Sequence, residues 1–161
     1  MARNHISKIS HKNMRFLITD RPSDATVEDY VRVLQQENVV ALCRVCEPSY
    51  DVSKLKDNGI EVHDWAFQDG APPPDEVIDN WLRLCRETFA QHPNGFVAVH
   101  CVAGLGRAPV LVALSLIEAG MSSEDAVLFI REKRHGAINR RQLQFLQDYK
   151  RRGKAKGCII M

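Results

Sequence analysis

Cys101 and Arg107 stand at the two ends of a short glycine-rich segment, and this pairing can act on a bound anion. A deprotonated cysteine is a nucleophile, and the arginine guanidinium can hold two phosphate oxygens while staying charged at physiological pH. The loop between them consists of Val102, Ala103, Gly104, Leu105 and Gly106. Its glycines allow successive backbone N–H groups to point into one concavity. A cysteine beneath a bound phosphate predicts nucleophilic attack at phosphorus.

The flanking residues predict how this loop is positioned. Residues 96–99 form an apolar run after a Pro-Asn-Gly turn, which is typical of a buried strand. A helix that begins near Arg107 would add the positive end of its dipole to the loop. The alternative is a buried cysteine in a strand-to-helix turn that binds nothing. We prefer the anion site because His100, the cysteine, both glycines and the arginine occur together in one strand–loop–helix context.

The 161 residues predict one α/β domain. The apolar patterns predict a hairpin over residues 5–19, strands over 39–45, 60–65 and 96–99, and helices over 27–38, 75–91, 107–119, 123–136 and 140–149. Thr26 with Asp29 predicts a capping box at the first helix. Strands that alternate with helices predict a central, mostly parallel sheet covered by helices on both faces, with ligands at the carboxyl ends of the strands.

Charge and cysteine usage limit the classes of function. The net charge is +2, but five of the 22 basic residues lie in residues 150–161, which contain no acidic residue. The remaining 17 basic and 20 acidic residues make the body slightly acidic, which argues against nucleic-acid binding. The odd count of five cysteines argues against a secreted disulfide framework, and we expect reduced thiols in the cytosol. We also expect neither a signal peptide nor a membrane span.

Phosphoryl transfer to Cys101 requires an acid that protonates the leaving oxygen, and Asp69 is the candidate. It follows a predicted strand and precedes Gly70 in the loop Trp-Ala-Phe-Gln-Asp-Gly-Ala-Pro-Pro-Pro of residues 65–74. Such a loop can present a carboxyl group at the sheet edge where Cys101 lies. An Asp-Gly turn without any chemical role is equally consistent with the residue types.

The segment His-Cys-Val-Ala-Gly-Leu-Gly-Arg-Ala-Pro-Val resembles the PRL family, the phosphatases of regenerating liver, and the similarity extends over residues 14–149. The resemblance implies a dual-specificity-like cysteine-phosphatase fold and hydrolysis through a cysteinyl phosphate. It also implies that Asp69 is the general acid, because the family carries Trp-Pro-Phe-Asp-Asp-Gly at this loop. Ala66 and Gln68 depart from that pattern, which affects the stiffness and local acidity of the loop.

Three further residues support the predicted site. His100 either stabilises the thiolate or orients the loop through a backbone hydrogen bond, and we prefer the orienting role. Gln142 lies where related phosphatases place a water-positioning glutamine, but Asn139-x-x-Gln142 also matches a capping box, which we prefer because it needs only local groups. Ala108 replaces the Ser or Thr that most cysteine phosphatases use to assist the departing sulfur. We therefore expect a slow enzyme.

The resemblance also implies regulation and a membrane tether. PRL proteins form a reversible disulfide between the nucleophile and a cysteine that corresponds to Cys46, so we expect a Cys46–Cys101 switch. The C-terminal Cys158-Ile-Ile-Met matches a CaaX signal, and the final Met favours farnesyl. We divide the chain into a phosphatase domain, residues 1–149, and a basic prenylated tail, residues 150–161. The tail predicts binding to anionic membrane at the cytoplasmic face of the plasma membrane or endomembranes, with a cytosolic pool.

The sequence leaves several partners open. The substrate is a phosphorylated protein or a phosphoinositide, and the residues imply no metal and no organic cofactor. PRL proteins also resemble binding modules that dock the CBS domain of magnesium transporters through the same pocket, which gives an alternative with little catalysis. The oligomeric state is equally open, a homo-oligomer included.

Overall fold

The computed structural model describes residues 5–152 and contains a five-stranded mixed sheet with helices on both faces. The strands are β1 (Ile6–His11), β2 (Met14–Thr19), β3 (Val39–Arg44), β4 (Glu61–Asp64) and β5 (Phe96–His100). The helices are α1 (Val27–Gln36), α2 (Ser53–Asp57), α3 (Asp75–Gln91), α4 (Arg107–Glu118), α5 (Ser123–Lys133) and α6 (Arg140–Asp148). The α/β fold class predicted from the sequence is confirmed. Within residues 5–152, no helix combines the length and apolarity needed to cross a membrane.

The sheet order is β1-β2-β5-β3-β4, which places β5 at the centre. Only the β1–β2 hairpin is antiparallel, and the other neighbours run parallel. His100 at the end of β5 pairs with Thr19 of β2 and with Arg44 of β3, and Arg44 pairs with Asp64 of β4. The carboxyl ends of four strands therefore meet at one edge, where a parallel sheet binds its ligands.

The helix ends show which local patterns determine structure. Ser122 accepts a hydrogen bond from the Asp125 N–H, and Asn139 forms a full capping box with Gln142, so both predicted caps are confirmed. The capping box predicted at Thr26 is wrong. Its hydroxyl accepts from the Ser23 N–H instead, because the preceding turn offers a competing backbone donor. The five-residue α2 was absent from the prediction, since it is too short for a periodic pattern.

The core gives the central strand a rigid support. Every residue of α4 except Glu118 is buried, and the helix packs between the sheet, α3 and α5. From α3, the predicted inward residues are buried, and the Trp81 Nε1–H donates to Ser115 Oγ of α4 at 2.9 Å. A helix held on all sides fixes the position of its first residue, Arg107. The fold thus determines both ends of the reactive loop.

Candidate active site

Cys101 lies directly after β5 and is 4% exposed. Because β5 is the central strand, the turn that follows it is surrounded by the ends of β2 and β3. The chain then passes through residues 102–106 and enters α4 at Arg107. The predicted arrangement of strand, loop and helix is present. We call residues 101–107 the phosphate loop.

The carbonyl groups of the phosphate loop are tied to its surroundings one after another. The carbonyl of Cys101 accepts from His100 Nδ1 at 2.9 Å, and that of Val102 accepts from the Arg21 N–H at 3.0 Å. The Arg134 guanidinium donates to the carbonyls of Ala103 and Gly104 at 2.9 and 2.8 Å, and the Ile138 N–H donates to that of Leu105 at 2.7 Å. Five consecutive peptide groups are therefore fixed by donors outside the loop.

This anchoring determines what the loop offers to a ligand. In a peptide group the N–H points opposite to the carbonyl, so carbonyls bound on the outside leave the N–H groups of residues 102–106 facing the concavity. A row of such N–H groups at the start of a helix binds an anion. The side chains of Val102 and Leu105 are 47% and 41% exposed, so the rim of this polar concavity is apolar.

Arg107 extends from α4 under the loop, and its side chain is 4% exposed. Its Nη1 donates to the Phe67 carbonyl at 3.0 Å, which fixes the guanidinium, while its Nε has no hydrogen-bond partner. Carboxylate oxygens of Asp69 and Glu47 lie 3.7 and 3.9 Å from Nε and Nη1, respectively, beyond hydrogen-bond distance. An unpaired donor on a buried cation is costly in the free protein, and a phosphoryl oxygen would satisfy it.

Asp69 reaches this site because its loop is held at one point. The buried Phe67 side chain lies in the core and its carbonyl is bound by Arg107, while the Asp69 side chain two residues later is 82% exposed. Gly70 then takes a positive φ of 78°, which turns the chain toward α3. The structure thus brings Asp69 and Arg107 together, as the general-acid interpretation requires.

His100 makes the backbone hydrogen bond that the orienting interpretation requires. A carbonyl only accepts, so Nδ1 carries the proton that binds the Cys101 carbonyl. The Nε2 atom then accepts from the Tyr50 hydroxyl at 2.6 Å. Burial lowers the pKa of His100 to about 4, so the imidazole is neutral at physiological pH. A neutral ring with both nitrogens occupied orients the loop and adds no charge to the site.

Gln142 performs its predicted capping role and also faces the loop. Its Oε1 accepts from the Asn139 N–H at 3.0 Å, and its own N–H donates to Asn139 Oδ1 at 2.7 Å. Its Nε2 is buried without a partner, and a Cβ built on Gly106 would lie 3.1 Å from it. The donor is therefore available at the concavity. The water-positioning role, which was the less favoured interpretation of the sequence, is not tested by these contacts.

The described cysteines Cys43, Cys46, Cys85 and Cys101 are all free and buried. The sulfur of Cys46 lies 4.0 Å from His100 Nδ1, the same atom that binds the Cys101 carbonyl. Burial raises the pKa of the Cys46 thiol, although the charge of Arg107 opposes this. Cys46 therefore rests as a thiol beside the proposed nucleophile. Cys158 and the CaaX signal lie outside the described residues.

Sequence reasoning missed Tyr50, Glu47 and Arg134 as parts of this site. Tyr50 and Glu47 lie in the loop after β3, where only topology shows that they face the phosphate loop. Arg134 follows α5 within a basic run whose composition suggests a solvated surface. No periodicity or spacing distinguishes it from its exposed neighbours. Within residues 5–152, no group of three His, Cys, Asp or Glu side chains is arranged to hold a metal ion.

Comparison with known proteins shows that the chain is similar to phosphatases. A family model described as "Polymorphic toxin system, DSP-PTPase phosphatase" matches residues 18–121. PRL-1 phosphatase of Drosophila melanogaster is 54% identical over 148 residues, 92% of this chain and 84% of that protein. Protein tyrosine phosphatase type IVA 3 of Bos taurus is 54% identical over 143 residues, 89% of this chain and 83% of that protein.

The chain belongs to the PRL family of protein tyrosine phosphatases. It is thus a cysteine-based phosphatase of the protein-tyrosine class, as the resemblance implied. A solved structure of a putative protein tyrosine phosphatase from Leishmania major has a TM-score of 0.83 and 45% identity, covering 91% of this chain and 99% of that one. Kinase associated phosphatase, at 18% identity and a TM-score of 0.74 with 91% and 94% coverage, shares the fold. A protein tyrosine phosphatase at 45% identity and a more distant phosphatase therefore share this architecture.

The neutral state of His100 predicts a pH dependence of stability. In the unfolded chain a histidine has a pKa of about 6.5, so the unfolded chain binds this proton first as the pH falls. The neutral ring therefore contributes to the free energy of unfolding fully above about pH 6.5. This contribution, about 3 kcal/mol, is lost as the pH falls toward about 4. We expect His100→Asn to lack this loss. Urea unfolding at about pH 7 and about pH 4 measures it, and parallel losses in both proteins would contradict the assignment.

Proposed function

We propose that this PRL-family chain hydrolyses phosphomonoesters on proteins, phosphotyrosine or dual-specificity substrates, through a phosphate bound to Cys101. The observation that supports the proposal is the inward set of N–H groups in the phosphate loop beside the unpaired Nε of Arg107. Together they match the oxygens of a phosphoryl group, and they belong to the loop that begins at Cys101, whose sulfur would attack phosphorus.

The first step is attack of the Cys101 thiolate on phosphorus. The S–P bond forms, the bond from phosphorus to the leaving oxygen breaks, and Asp69 gives that oxygen its proton. The loop N–H groups and Arg107 bind the remaining phosphoryl oxygens. A neutral aryl alcohol or protein hydroxyl then leaves the site.

In the second step water attacks the phosphocysteine. The Asp69 carboxylate takes a proton from the water, a new P–O bond forms, and the S–P bond breaks to return the thiolate and release phosphate. The unpaired Nε2 of Gln142, which lies close to Gly106, would orient that water. The buried Ala108 follows Arg107 and offers no hydroxyl to the departing sulfur, so this step should limit turnover.

Rapid-quench kinetics on phenyl phosphate tests the mechanism. We expect a burst of phenol in the wild type, because phosphocysteine forms faster than it breaks down. A hydrogen bond to a charged group contributes about 1.5–3 kcal/mol, so Ala108→Ser should raise steady-state turnover about tenfold to about a hundredfold. Asp69→Asn should slow the burst about a hundredfold. Gln68→Asn, an exposed change in the same loop, is the control and should leave the burst intact.

The same experiment addresses a second candidate function. The exposed apolar side chains of Val102 and Leu105 favour docking of a protein at the loop, for which the CBS domain of a magnesium transporter is the candidate partner. A wild type without a burst, together with an Ala108→Ser variant without a gain, would contradict the catalytic mechanism and favour this binding role.

We further propose that Cys46 protects Cys101 from irreversible oxidation. Peroxide would oxidise the Cys101 thiolate to a sulfenic acid, and the Cys46 thiol would then attack that sulfur, forming the disulfide and releasing water. The Cys46 sulfur lies 4.0 Å from His100 Nδ1, which also donates to the Cys101 carbonyl, and this proximity of the two residues supports the pairing. The protonated resting state of Cys46 supports it as well. Reduction by a dithiol restores both thiols.

After peroxide treatment, mass spectrometry should find Cys46 joined to Cys101. Activity should return on reduction in the wild type but only in part in Cys46→Ser, because the unprotected sulfenic acid is oxidised further. Cys85→Ala is the matched control, since Cys85 is buried on α3 and donates nothing to the site. Full recovery of Cys46→Ser would show that the protective role is wrong.

Finally, we propose that farnesyl on Cys158 and the basic tail together hold the protein on anionic membrane. The structure describes three basic residues of the tail, Lys150, Arg151 and Arg152, and the body engages the last two. Arg151 Nε donates to the Ile117 carbonyl at 2.7 Å, and Arg152 pairs with Asp79 at 2.9 Å and also with Asp75. The other basic residues of the tail sequence are Lys150, Lys154 and Lys156, and we assign the membrane contact to these three.

Both attachments should be necessary, because one lipid chain binds only marginally and each lysine adds about 1 kcal/mol on anionic lipid. We expect Cys158→Ser, and separately glutamine at the three lysines, to release the protein to the soluble fraction of cells. Arg152→Gln is the control, and it should leave the membrane fraction unchanged because Arg152 is already paired. Membrane retention in either test variant would contradict the two-part tether.

A further inference from the structure

Arg134 lies directly after α5, and its side chain is 1% exposed. The guanidinium is shared between the loop and the sheet. Its Nε donates to the Gly104 carbonyl at 2.8 Å and its Nη2 to the Ala103 carbonyl at 2.9 Å. The other contacts are Nη2 to Asp20 Oδ1 at 2.8 Å and Nη1 to Ser7 Oγ, the His5 carbonyl and the Ile18 carbonyl at 3.1, 3.3 and 3.3 Å.

A cation buried in this way is expensive unless its surroundings compensate for the lost water. Burial lowers the pKa of Arg134, and the carboxylate of Asp20 opposes the shift. An ion pair alone would need only Asp20. The guanidinium instead directs two of its nitrogens to adjacent carbonyls at the middle of the phosphate loop, which couples the loop to β1 and β2 through one rigid planar group.

These two carbonyls decide the orientation of the next two N–H groups. With the Ala103 carbonyl held outward, the Gly104 N–H faces the concavity, and the Gly104 carbonyl does the same for the Leu105 N–H. The neighbouring carbonyls are held by His100 and by backbone N–H groups. At the middle of the loop, two successive carbonyls need donors from the same direction. The planar guanidinium of Arg134 supplies both of these donors.

Gly104 shows how closely the arginine approaches. Its φ is 70°, and a Cβ built on it would lie 2.6 Å from Arg134 Nη2 and 2.7 Å from the Thr19 carbonyl. A side chain at position 104 would therefore displace the guanidinium or strain the backbone. The glycine is required by its conformation and also by the approach of this buried cation.

From these contacts we propose that Arg134 is a positioning residue for phosphoryl transfer, which holds the phosphate loop in its anion-binding conformation before phosphate arrives. The inference rests on the proposed function, because it assigns Arg134 a role in binding the phosphoryl group at Cys101. Arg134 does not contact the substrate. It acts through the Gly104 and Leu105 N–H groups.

The test compares Arg134→Lys with Arg15→Lys. Arg15 also binds two loop carbonyls, of Gly95 and His92 at 2.9 and 3.1 Å, but at the opposite edge of the sheet. Lysine at position 134 can pair with Asp20 but cannot bind both loop carbonyls as a fork. We expect the inhibition constant of inorganic phosphate to rise about tenfold or more in Arg134→Lys, with a matching rise in KM for phenyl phosphate. Arg15→Lys should stay within about twofold.

The inhibition constant does not depend on the amount of folded enzyme, so a purely structural role for Arg134 would lower only the melting temperature. An unchanged constant in folded Arg134→Lys overturns the inference. If that variant does not fold, Arg134→Gln replaces it, because a single side-chain amide cannot bind both loop carbonyls as a fork, and an unchanged inhibition constant of phosphate there also overturns the inference. If the wild type neither binds phosphate nor hydrolyses phenyl phosphate, that result would instead contradict the proposed function.

Discussion

The phosphate loop depends on one constraint: five successive carbonyls point outward so that five N–H groups can point inward. A free loop would not keep this arrangement, because parallel peptide dipoles repel one another and inward N–H groups lack partners. Donors from four parts of the chain supply the compensation, namely His100, the Arg21 N–H, Arg134 and the Ile138 N–H. The sheet order, the α5–α6 turn and the buried α4 all serve to bring these donors to one place. Much of the fold can be understood as the support for this loop.

The charges around the loop are also arranged to bind an anion. Arg107 is buried, with Nε unpaired and two exposed carboxylates beyond hydrogen-bond distance, so phosphate meets a cation that is only partly neutralised. His100 contributes no opposing or additional charge because burial keeps it neutral. Arg134 is offset locally by Asp20 on the outer side of the loop. The net positive field is therefore directed into the concavity, where low exposure makes each interaction stronger than it would be in water.

The sequence predicts the reactive segment well because residues close together in the chain determine its structure. Cys101, the two glycines and Arg107 determine a strand, a loop and a helix start with little help from elsewhere, and Asn139 with Gln142 determines a helix cap in the same way. Thr26 shows the limit, since an adjacent turn competed for its hydroxyl. Arg134 and Tyr50 could not be found in this manner, because Arg134 lies 30 and 31 positions from the two loop carbonyls that it binds, and Tyr50 lies 50 positions from His100. Their roles follow from topology, which places α5 and the β3 loop against residues distant in the chain.

Under the proposed mechanism, the distribution of donors predicts that tight phosphate binding and slow turnover occur together. In the proposed mechanism the loop N–H groups and Arg107 bind phosphoryl oxygens, and these oxygens are present in the phosphocysteine as well as in the transition state for its breakdown. Binding both states equally does not accelerate the step between them. The departing sulfur, by contrast, has no hydroxyl at Ala108, and the one imidazole proton nearby is already given to the Cys101 carbonyl. A site that stabilises the phosphate without stabilising the leaving thiolate would retain its intermediate, and on this mechanism the exposed apolar side chains of Val102 and Leu105 would lie beside a long-lived phosphocysteine.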